Sequence, residues 1–338
     1  MISQRDDLPH KPHQWALMTW KENWCFTGVD VATGLGFVFH VSLRPQFGEG
    51  IFSAKLDGTL DGEWVRIKSV ERHPIGRNPA EMPEIASTAM RVEILEPHRR
   101  FRLSYVGEAG SLVVDYEGRF APFDFADGAM APGASTLGDI GRHVFPFHHY
   151  EQGLTFTATL VPAIGAHAGR TITLAGVGNR DHSWGWRDDF GFRLHHWVCA
   201  NFADRFVQGS AMHERSYDGL KHGGFIGSRG GNVAVMHVDT SNAYWESPAN
   251  EPLPPLDRPV TYRLRDAHGE EHVVTALLDR AVARNFLNAR KEDGTAVYED
   301  CQMFCEYRDE RTGEVGAGIL EVGKILERPD AVELTRRN

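Results

Sequence analysis

The chain has 338 residues, 41% of them hydrophobic and 24% charged, with a formal net charge of −10. That length exceeds what one hydrophobic core usually serves and predicts two domains, while the acidic balance argues against nucleic acid as a partner. No apolar run reaches the length of a membrane span and no amino-terminal segment reads as a signal peptide, so a cytoplasmic protein with no membrane span is expected. Four cysteines (Cys25, Cys199, Cys301 and Cys305) are too few and too scattered for a disulfide scaffold. Cys301 and Cys305 are read as small hydrophobes within a strand.

Glycine and proline punctuate the whole length, and few windows carry helical periodicity. The first dozen residues are polar and are expected to form a loose arm. Short alternating runs then begin. Phe37, Phe39, Val41 and Leu43 share one face of a strand, and Asp57-Gly58 reads as a hairpin turn. Met90–Leu95 and Phe101–Val106 read as a strand pair around Glu96-Pro97-His98-Arg99, and Ser111–Phe120 as another strand. Residues 121–142 are rich in Gly, Ala and Pro, with Phe123, Phe125 and Met130 interleaved. A pocket-lining segment or lid and a packed connector are both open readings there. Leu154, Phe156, Ala158 and Leu160 alternate with three threonines, the mark of a half-exposed antiparallel strand. Further strands are expected at 170–177, 192–202, 206–213, 232–239, 260–265 and 272–278, with a last three-strand run over 283–326. The glycine-rich stretches Gly223–Gly227 and Gly227–Gly231 are read as turns. Ala267-His268-Gly269, Asp293-Gly294 and Thr312-Gly313 are hairpin signals, and Pro248–Pro259 reads as a surface connection. The expected fold is all-β, with a domain boundary near residue 175: an N-terminal unit over 1–175 and a C-terminal unit over 176–338, each a barrel or sandwich.

The densest chemistry lies at Gly178-Asn179-Arg180-Asp181-His182-Ser183-Trp184-Gly185-Trp186-Arg187-Asp188-Asp189. A solvated loop rarely holds two Trp, and a core strand rarely holds this many charges, because a buried charge needs a partner. As an extended strand it puts His182, Trp184, Trp186 and Asp188 on one face and Asp181, Ser183, Arg187 and Asp189 on the other. Gly185 allows a bulge. The pattern fits an acid/base site walled by indoles, with Arg180, Arg187 and Asp189 as structural ion pairs. It also fits a purely structural ion-pair knot between domains.

No P-loop, dinucleotide fingerprint, Gly-x-Ser-x-Gly elbow or His-Glu-x-x-His motif is present. His148-His149 and His195-His196 are adjacent pairs that face opposite ways in a strand, so neither pair readily ligates one ion; no catalytic metal and no cofactor are expected. Acid/base chemistry by side chains remains, with His182, Asp181, Asp188 and Glu151 as catalytic candidates and Trp184, Trp186, His149 and Tyr150 as the substrate-binding wall. A carboxylic acid in an apolar pocket stays protonated at neutral pH. Aromatic faces stabilise a developing cation by ~0.5–2 kcal/mol each.

The pattern Gly-x-Arg-Asp-His-Ser-Trp-Gly-x-Arg-Asp, preceded by His149-Tyr150-Glu151-Gln152 and followed far downstream by Gly316-Ala317-Gly318-Ile319-Leu320-Glu321, resembles the lipocalin-like family of carotenoid 1,2-hydratase (hydroxyneurosporene synthase), kievitone hydratase and the AttH-like proteins. The resemblance implies two tandem lipocalin-like antiparallel β-barrels with a pocket at their junction, and cofactor-free chemistry on apolar, often isoprenoid, substrates. His182 and Trp184 match the His-x-Trp pair that lines the hydratase site. The further Asp those enzymes use has only Asp204 as a nearby counterpart. The resulting expectation is a cofactor-independent hydratase, lyase or isomerase acting on an apolar isoprenoid, prenylated or polycyclic small molecule. A non-catalytic carrier of hydrophobic ligands and a pericyclase-type cyclase are the competing readings.

Overall fold

The computed structural model describes residues 2–12, 20–125, 147–186, 192–214, 220–240, 256–290 and 296–325. Among them the regular structure is strand, with only short 3-10 turns besides. The first unit contains β1 (Trp20–Asp30), β2 (Leu35–Arg44), β3 (Glu49–Leu60), β4 (Glu63–Pro74), β5 (Ile85–Ala86), β6 (Met90–Glu96), β7 (Arg100–Gly107), β8 (Gly110–Gly118), β9 (Phe123–Asp124), β10 (Phe147–Pro162) and β11 (Ile172–Trp186). The second contains β12 (Phe192–Asn201), β13 (Arg205–Glu214), β14 (Leu220–Ser228), β15 (Gly231–Thr240), β16 (Val260–Asp266), β17 (Glu271–Ala276), β18 (Ala283–Arg290), β19 (Ala296–Asp309) and β20 (Val315–Ile325). Every pairing is antiparallel.

Both units follow one plan, an up-and-down ring whose last strand returns to pair with its first. In the second unit the ring closes: β12 to β17 run in order, β17 pairs with β19, and β20 joins β19 back to β12, with β18 on the outer flank of β19. In the first unit β11 lies between β10 and β1, and the ring stays open between β4 and β5. The Glu71 carboxylate of β4 spans that gap, accepting the backbone N–H groups of Thr88 and Ala89 at 3.1 Å each. An edge that would otherwise expose unpaired amides is thereby partly satisfied. The chain is therefore two tandem lipocalin-like β-barrel units, the first a half-barrel and the second a closed ring.

Alternation explains which residues fill each barrel. Phe37, Phe39, Val41 and Leu43 point into the first barrel beside Trp24, Phe26, Phe101 and Tyr116. Leu154, Phe156, Ala158 and Leu160 are buried while Thr155, Thr157 and Thr159 are exposed. Val198, Ala200, Cys301, Cys305 and Tyr307 fill the second barrel, and the described cysteines are free thiols.

Four expectations are corrected. Asp57-Gly58 lies inside β3, in register with β2 and β4; the turn is the second Asp-Gly pair, where Asp61 and Gly62 take φ of 51° and 81°. Two positive φ values suit the tight hairpin twist, and Asp-Gly supplies them. Gly223–Gly227 is strand, within β14: a Cβ at Gly224 would sit 2.2 Å from the Gln208 carbonyl oxygen, so glycine permits a close strand approach there. No bulge forms at Gly185, which pairs in register with Lys21 and Phe147. The first dozen residues are no loose arm: Ser3–Asp7 forms a docked turn with Asp7 fully buried. β11 runs unbroken through residue 175 and belongs wholly to the first sheet, so we place the division between the units after Trp186 and before Phe192. Met130, most of Pro248–Pro259 and Asp293-Gly294 lie outside the described residues.

The two barrels meet along their outer faces. Val29, Val38, Phe123 and Phe125 of the first pack with Cys199, Phe206, Phe225, Phe304 and Ile319 of the second. Two glycines make room for this contact: a Cβ on Gly153 would lie 2.7 Å from the Phe206 ring, and one on Gly36 would lie 2.4 Å from the Phe304 ring. Gly153→Ala and Gly36→Ala should each destabilise the protein by about 1–3 kcal/mol through overpacking. Denaturant midpoints check this, and midpoints equal to the parent's would mean that the barrels do not dock through these rings.

Candidate functional site

β11 distributes the central motif between two environments. Arg180, His182 and Trp184 point into the first barrel, and Asp181 and Ser183 face the second. Trp186 is paired with Trp20 through its backbone, but its side chain lies outside the described residues, as do Arg187, Asp188 and Asp189 entirely.

Inside the barrel, Trp24 of β1 and Tyr150 of β10 flank His182 in register. His182 Nε2 lies 3.1 Å from Glu22 Oε1, and Nδ1 lies 3.3 Å from the Tyr150 hydroxyl. Its ring stacks on the Trp24 indole at 4.2 Å. Burial lowers the His182 pKa, with Glu22 acting in the opposite sense. Arg180 donates through Nη1 to Asp7 Oδ1 at 2.6 Å and through Nε to Gln152 Oε1 at 2.9 Å. Its guanidinium lies 4.3 Å above the Phe101 ring. Asp7 also accepts the His98 N–H at 2.5 Å and the Tyr150 hydroxyl. Burial raises the Asp7 pKa, but the charge of Arg180 and the hydrogen bond from Tyr150 more than offset it, so the net shift is downward. Trp184 is held between the His10 ring at 4.0 Å and the His148 ring at 4.9 Å.

Of the candidate carboxylates nearest His182 in sequence, Asp181 lies on the other face of β11 and Asp188 lies outside the described residues. Neighbours in a strand face opposite ways, and Glu22, from a strand 160 residues away, takes the place beside His182. Arg180 does form a buried ion pair, with Asp7 of the arm.

On the other face of β11, Asp181 lies opposite Glu151 of β10. The Trp197 indole of β12 donates to Glu151 Oε1 at 2.5 Å, and His149 Nε2 lies 3.4 Å from the same oxygen. The His149 and Trp197 rings are parallel at 5.5 Å. Burial pushes the Glu151 carboxyl well above the usual range; the Trp197 hydrogen bond opposes this and the charge of Glu321 adds to it. Glu321, on β20 opposite Trp197, is held by His195 Nε2 at 3.0 Å and Gln302 Nε2 at 2.7 Å. Burial raises the Glu321 pKa, but those two partners outweigh it and the net shift is downward. Asp300 on β19, next to this pair, is pushed up to about 8 by burial and by the Glu321 charge. Lys55 of β3 is lowered to about 8, chiefly by burial and then by Lys68. Lys55 and Asn285 line a cleft between β3–β4 and β18–β19, and Asn285 hydrogen-bonds Gln302 at 2.8 Å.

The layer between the barrels thus holds carboxyl groups whose pKa values are driven apart, the arrangement that separates proton donors from acceptors. Phe125 packs on both His149 and Trp197, so the described start of the 121–142 segment helps to wall it. Among the described residues, three groups bring His and carboxylate ligand atoms within 4.8 Å of one another: His10–Glu22–His182, His149–Glu151–Asp181 and His195–Asp300–Glu321. Asp204 is absent from all of this; it is 79% exposed in the turn after β12 and pairs with Arg205.

Sequence reasoning brought Glu151, His149 and Asp181 forward, and the structure places them together. It missed Glu22, Asp7, Glu321, Asp300 and Trp197. One local signal existed for Glu22: a carboxylate that alternates with Trp20, Trp24 and Phe26 on one strand face demands a partner.

The fold and this layer define a tandem β-barrel protein with a buried acid/base cluster between its barrels. The chain belongs to the family described as domain of unknown function DUF7064, whose model matches residues 3–325. No curated protein matches the sequence. Among solved structures it is similar to a protein of Nitrosomonas europaea described as AttH, with 15% identity and a TM-score of 0.53 over 89% of this chain and 92% of that one. It is also similar to kievitone hydratase from Nectria haematococca, with 10% identity and a TM-score of 0.55 over 94% and 98% of the two chains. At these identities the likeness is one of fold.

Two stability predictions follow from the two clusters. Asp7→Ala strands Arg180 in the barrel and should cost about 3–5 kcal/mol, read as a lowered denaturant midpoint; an unchanged midpoint would mean the arm is not docked by this pair. For Asp300 the folded pKa of about 8 exceeds the ordinary 3.8, so the folded state holds the proton longer and stability falls as pH rises between those values. Asp300→Asn should flatten that decline in melts run across the same pH range, and a parent-like slope would place the proton elsewhere.

Proposed function

We propose that this protein is a lyase or isomerase working by side-chain acid/base chemistry, most simply a hydratase or dehydratase, on an apolar substrate admitted between the barrels. The observation that carries the reading is Glu151: a fully buried carboxyl, held by one indole N–H, whose pKa is raised by burial. Such a group keeps its proton to higher pH than an ordinary carboxyl does and faces aromatic surface, which suits it to protonating a carbon–carbon double bond. In the hydration direction Glu151 gives its proton to one alkene carbon. The neighbouring carbon carries the positive charge, which the Trp197 and Phe125 rings stabilise by ~0.5–2 kcal/mol each. Water adds to that carbon, and its surplus proton returns through His149 or Asp181 to the Glu151 carboxylate. Dehydration is the same sequence reversed. Glu151 is preferred to His182 as the acid because both His182 nitrogens are engaged, by Glu22 and Tyr150.

That saturation of the inner cluster favours a second reading, a carrier of hydrophobic ligands that performs no turnover. The two differ in one measurement. Incubation of the purified protein with a terpenoid and steroid panel in heavy water should place deuterium on carbon in an enzyme and not in a carrier. Glu151→Gln should keep the melting temperature within a few degrees and lower turnover by ~10²–10⁴-fold, the worth of one acid/base group. The parent's rate should fall as pH rises through the raised Glu151 pKa, because the acid form is the working one. If Glu151→Gln keeps its rate while a folded His182→Ala loses it, the chemistry belongs to the inner cluster.

A further inference from the structure

We infer that His10, Glu22 and His182 form a binding site for a divalent transition-metal ion, of which zinc is the type, and that the ion clamps the amino-terminal arm onto the first barrel. The three residues come from three separate elements: the arm, β1 and β11. His10 Nδ1 lies 2.7 Å and His182 Nε2 lies 3.1 Å from one carboxylate oxygen, Glu22 Oε1, and all three ligand atoms lie within 4.8 Å of one another. A tetrahedral ion with bonds of about 2.0–2.1 Å holds its ligand atoms about 3.3 Å apart, so His182 is nearly at that spacing from Glu22 and the His10 ring, at the exposed end, moves out by about 0.6 Å to admit it. Two imidazole nitrogens, one carboxylate oxygen and a water make up a common zinc set.

The surroundings are built as they are around metal-bound histidines, whose second nitrogen is almost always held by a carboxylate, carbonyl or water. His10 Nε2 is turned toward Asp6 Oδ1 at 3.4 Å, and His182 Nδ1 toward the Tyr150 hydroxyl at 3.3 Å. Indoles fix both ring planes: His10 lies on Trp184 at 4.0 Å and 4°, and His182 lies on Trp24 at 4.2 Å and 20°. The His10 backbone N–H is shared between the two Glu22 oxygens, at 3.1 Å from Oε1 and 3.0 Å from Oε2, and so fixes the carboxylate beside the His10 ring. Glu22 and His182 are completely buried, and the His10 side chain, 17% exposed, provides the approach.

Donor counting points the same way. Tyr150 has one hydroxyl proton and four polar neighbours: the Asp7 carboxylate, the Asp6 carbonyl, Arg180 Nη1 and His182 Nδ1. Arg180 can only donate, and the two oxygens compete for the proton. His182 Nδ1 is then the donor to the hydroxyl oxygen, which leaves Nε2 as the nitrogen that faces Glu22 Oε1, where a metal ion would also engage His10.

The site lies on the opposite face of β11 from Glu151, so it stands or falls independently of the proposed reaction, and its test reads metal rather than turnover. The full chain is freed of metal by dialysis against a chelator and titrated with zinc by calorimetry, and with cobalt(II) by visible absorption. The expected result is one tight equivalent of zinc, tetrahedral cobalt bands and a melting temperature raised by zinc. His10→Ala, at the accessible end of the site, should weaken zinc binding by more than the ~10–100-fold that loss of a supporting residue costs, and abolish the zinc-dependent rise in melting temperature. His149→Ala and His195→Ala, in the other two His–carboxylate groups, should bind zinc as the parent does. Absence of a tight equivalent in the parent overturns the inference, and so does tight binding that survives His10→Ala or disappears in His149→Ala or His195→Ala. Limited proteolysis gives a second readout: zinc should protect residues 1–19 from cleavage in the parent and not in His10→Ala.

Discussion

Arg180 is a guanidinium with 1% exposure inside a β-barrel, and much of the first unit is arranged around that fact. An uncompensated buried charge is among the most destabilising features a fold can carry. The barrel wall supplies Gln152, Tyr150 and the face of Phe101. The neutralising carboxylate comes from Asp7, 173 residues away in the chain. The docked position of the arm follows: Asp7 must enter the barrel, and His10 is then carried to within hydrogen-bonding distance of Glu22. The inner half of the central motif is in this sense a fastening, and its polar groups are used up in fastening.

The outer half is different in kind. Between the barrels, Glu151, Asp181, Asp300 and Glu321 lie in a layer that the rings of Phe206, Phe225 and Phe304 separate from the barrels' outer edge. Burial alone would raise Glu151, Asp300 and Glu321. What distinguishes them is the partner each finds: His195 and Gln302 hold Glu321 down, Trp197 only partly restrains Glu151, and Asp300 is driven up further by its charged neighbour. A single β-strand thus serves two environments through its period of two, with the Arg180–Asp7 ion pair on one face and the acid layer on the other.

The open first ring and the closed second ring also bear on where function can reside. The gap between β4 and β5 is bridged by the Glu71 carboxylate and not by a strand ladder. The adjoining β3–β4 hairpin lines the cleft that also holds Lys55, Asn285 and Phe304. A ring that does not close can shift its free strands at lower cost than a complete ladder can, because fewer hydrogen bonds are lost. The cleft therefore sits beside the more adaptable part of the scaffold.

The sequence by itself determined the all-β character, most strand positions and the two faces of the central motif, because these depend on alternation and turn chemistry that act over a few residues. The threonine-striped β10 and the division of His182 from Asp181 were legible for that reason. The register between distant strands was not. Period-two patterning says which way a side chain points and is silent about which strand lies opposite, so Glu22 beside His182, Asp7 beside Arg180 and Glu321 near Glu151 were decided only by the closing of the rings and their docking. The misplaced hairpin at Asp57-Gly58 has the same origin. Two Asp-Gly pairs stood four residues apart with equal local claims, and the cross-strand register of β3 with β2 and β4 chose the second. Local chemistry set the alphabet of contacts, and long-range pairing chose the partners, since a buried charge is satisfied by whatever the fold brings beside it.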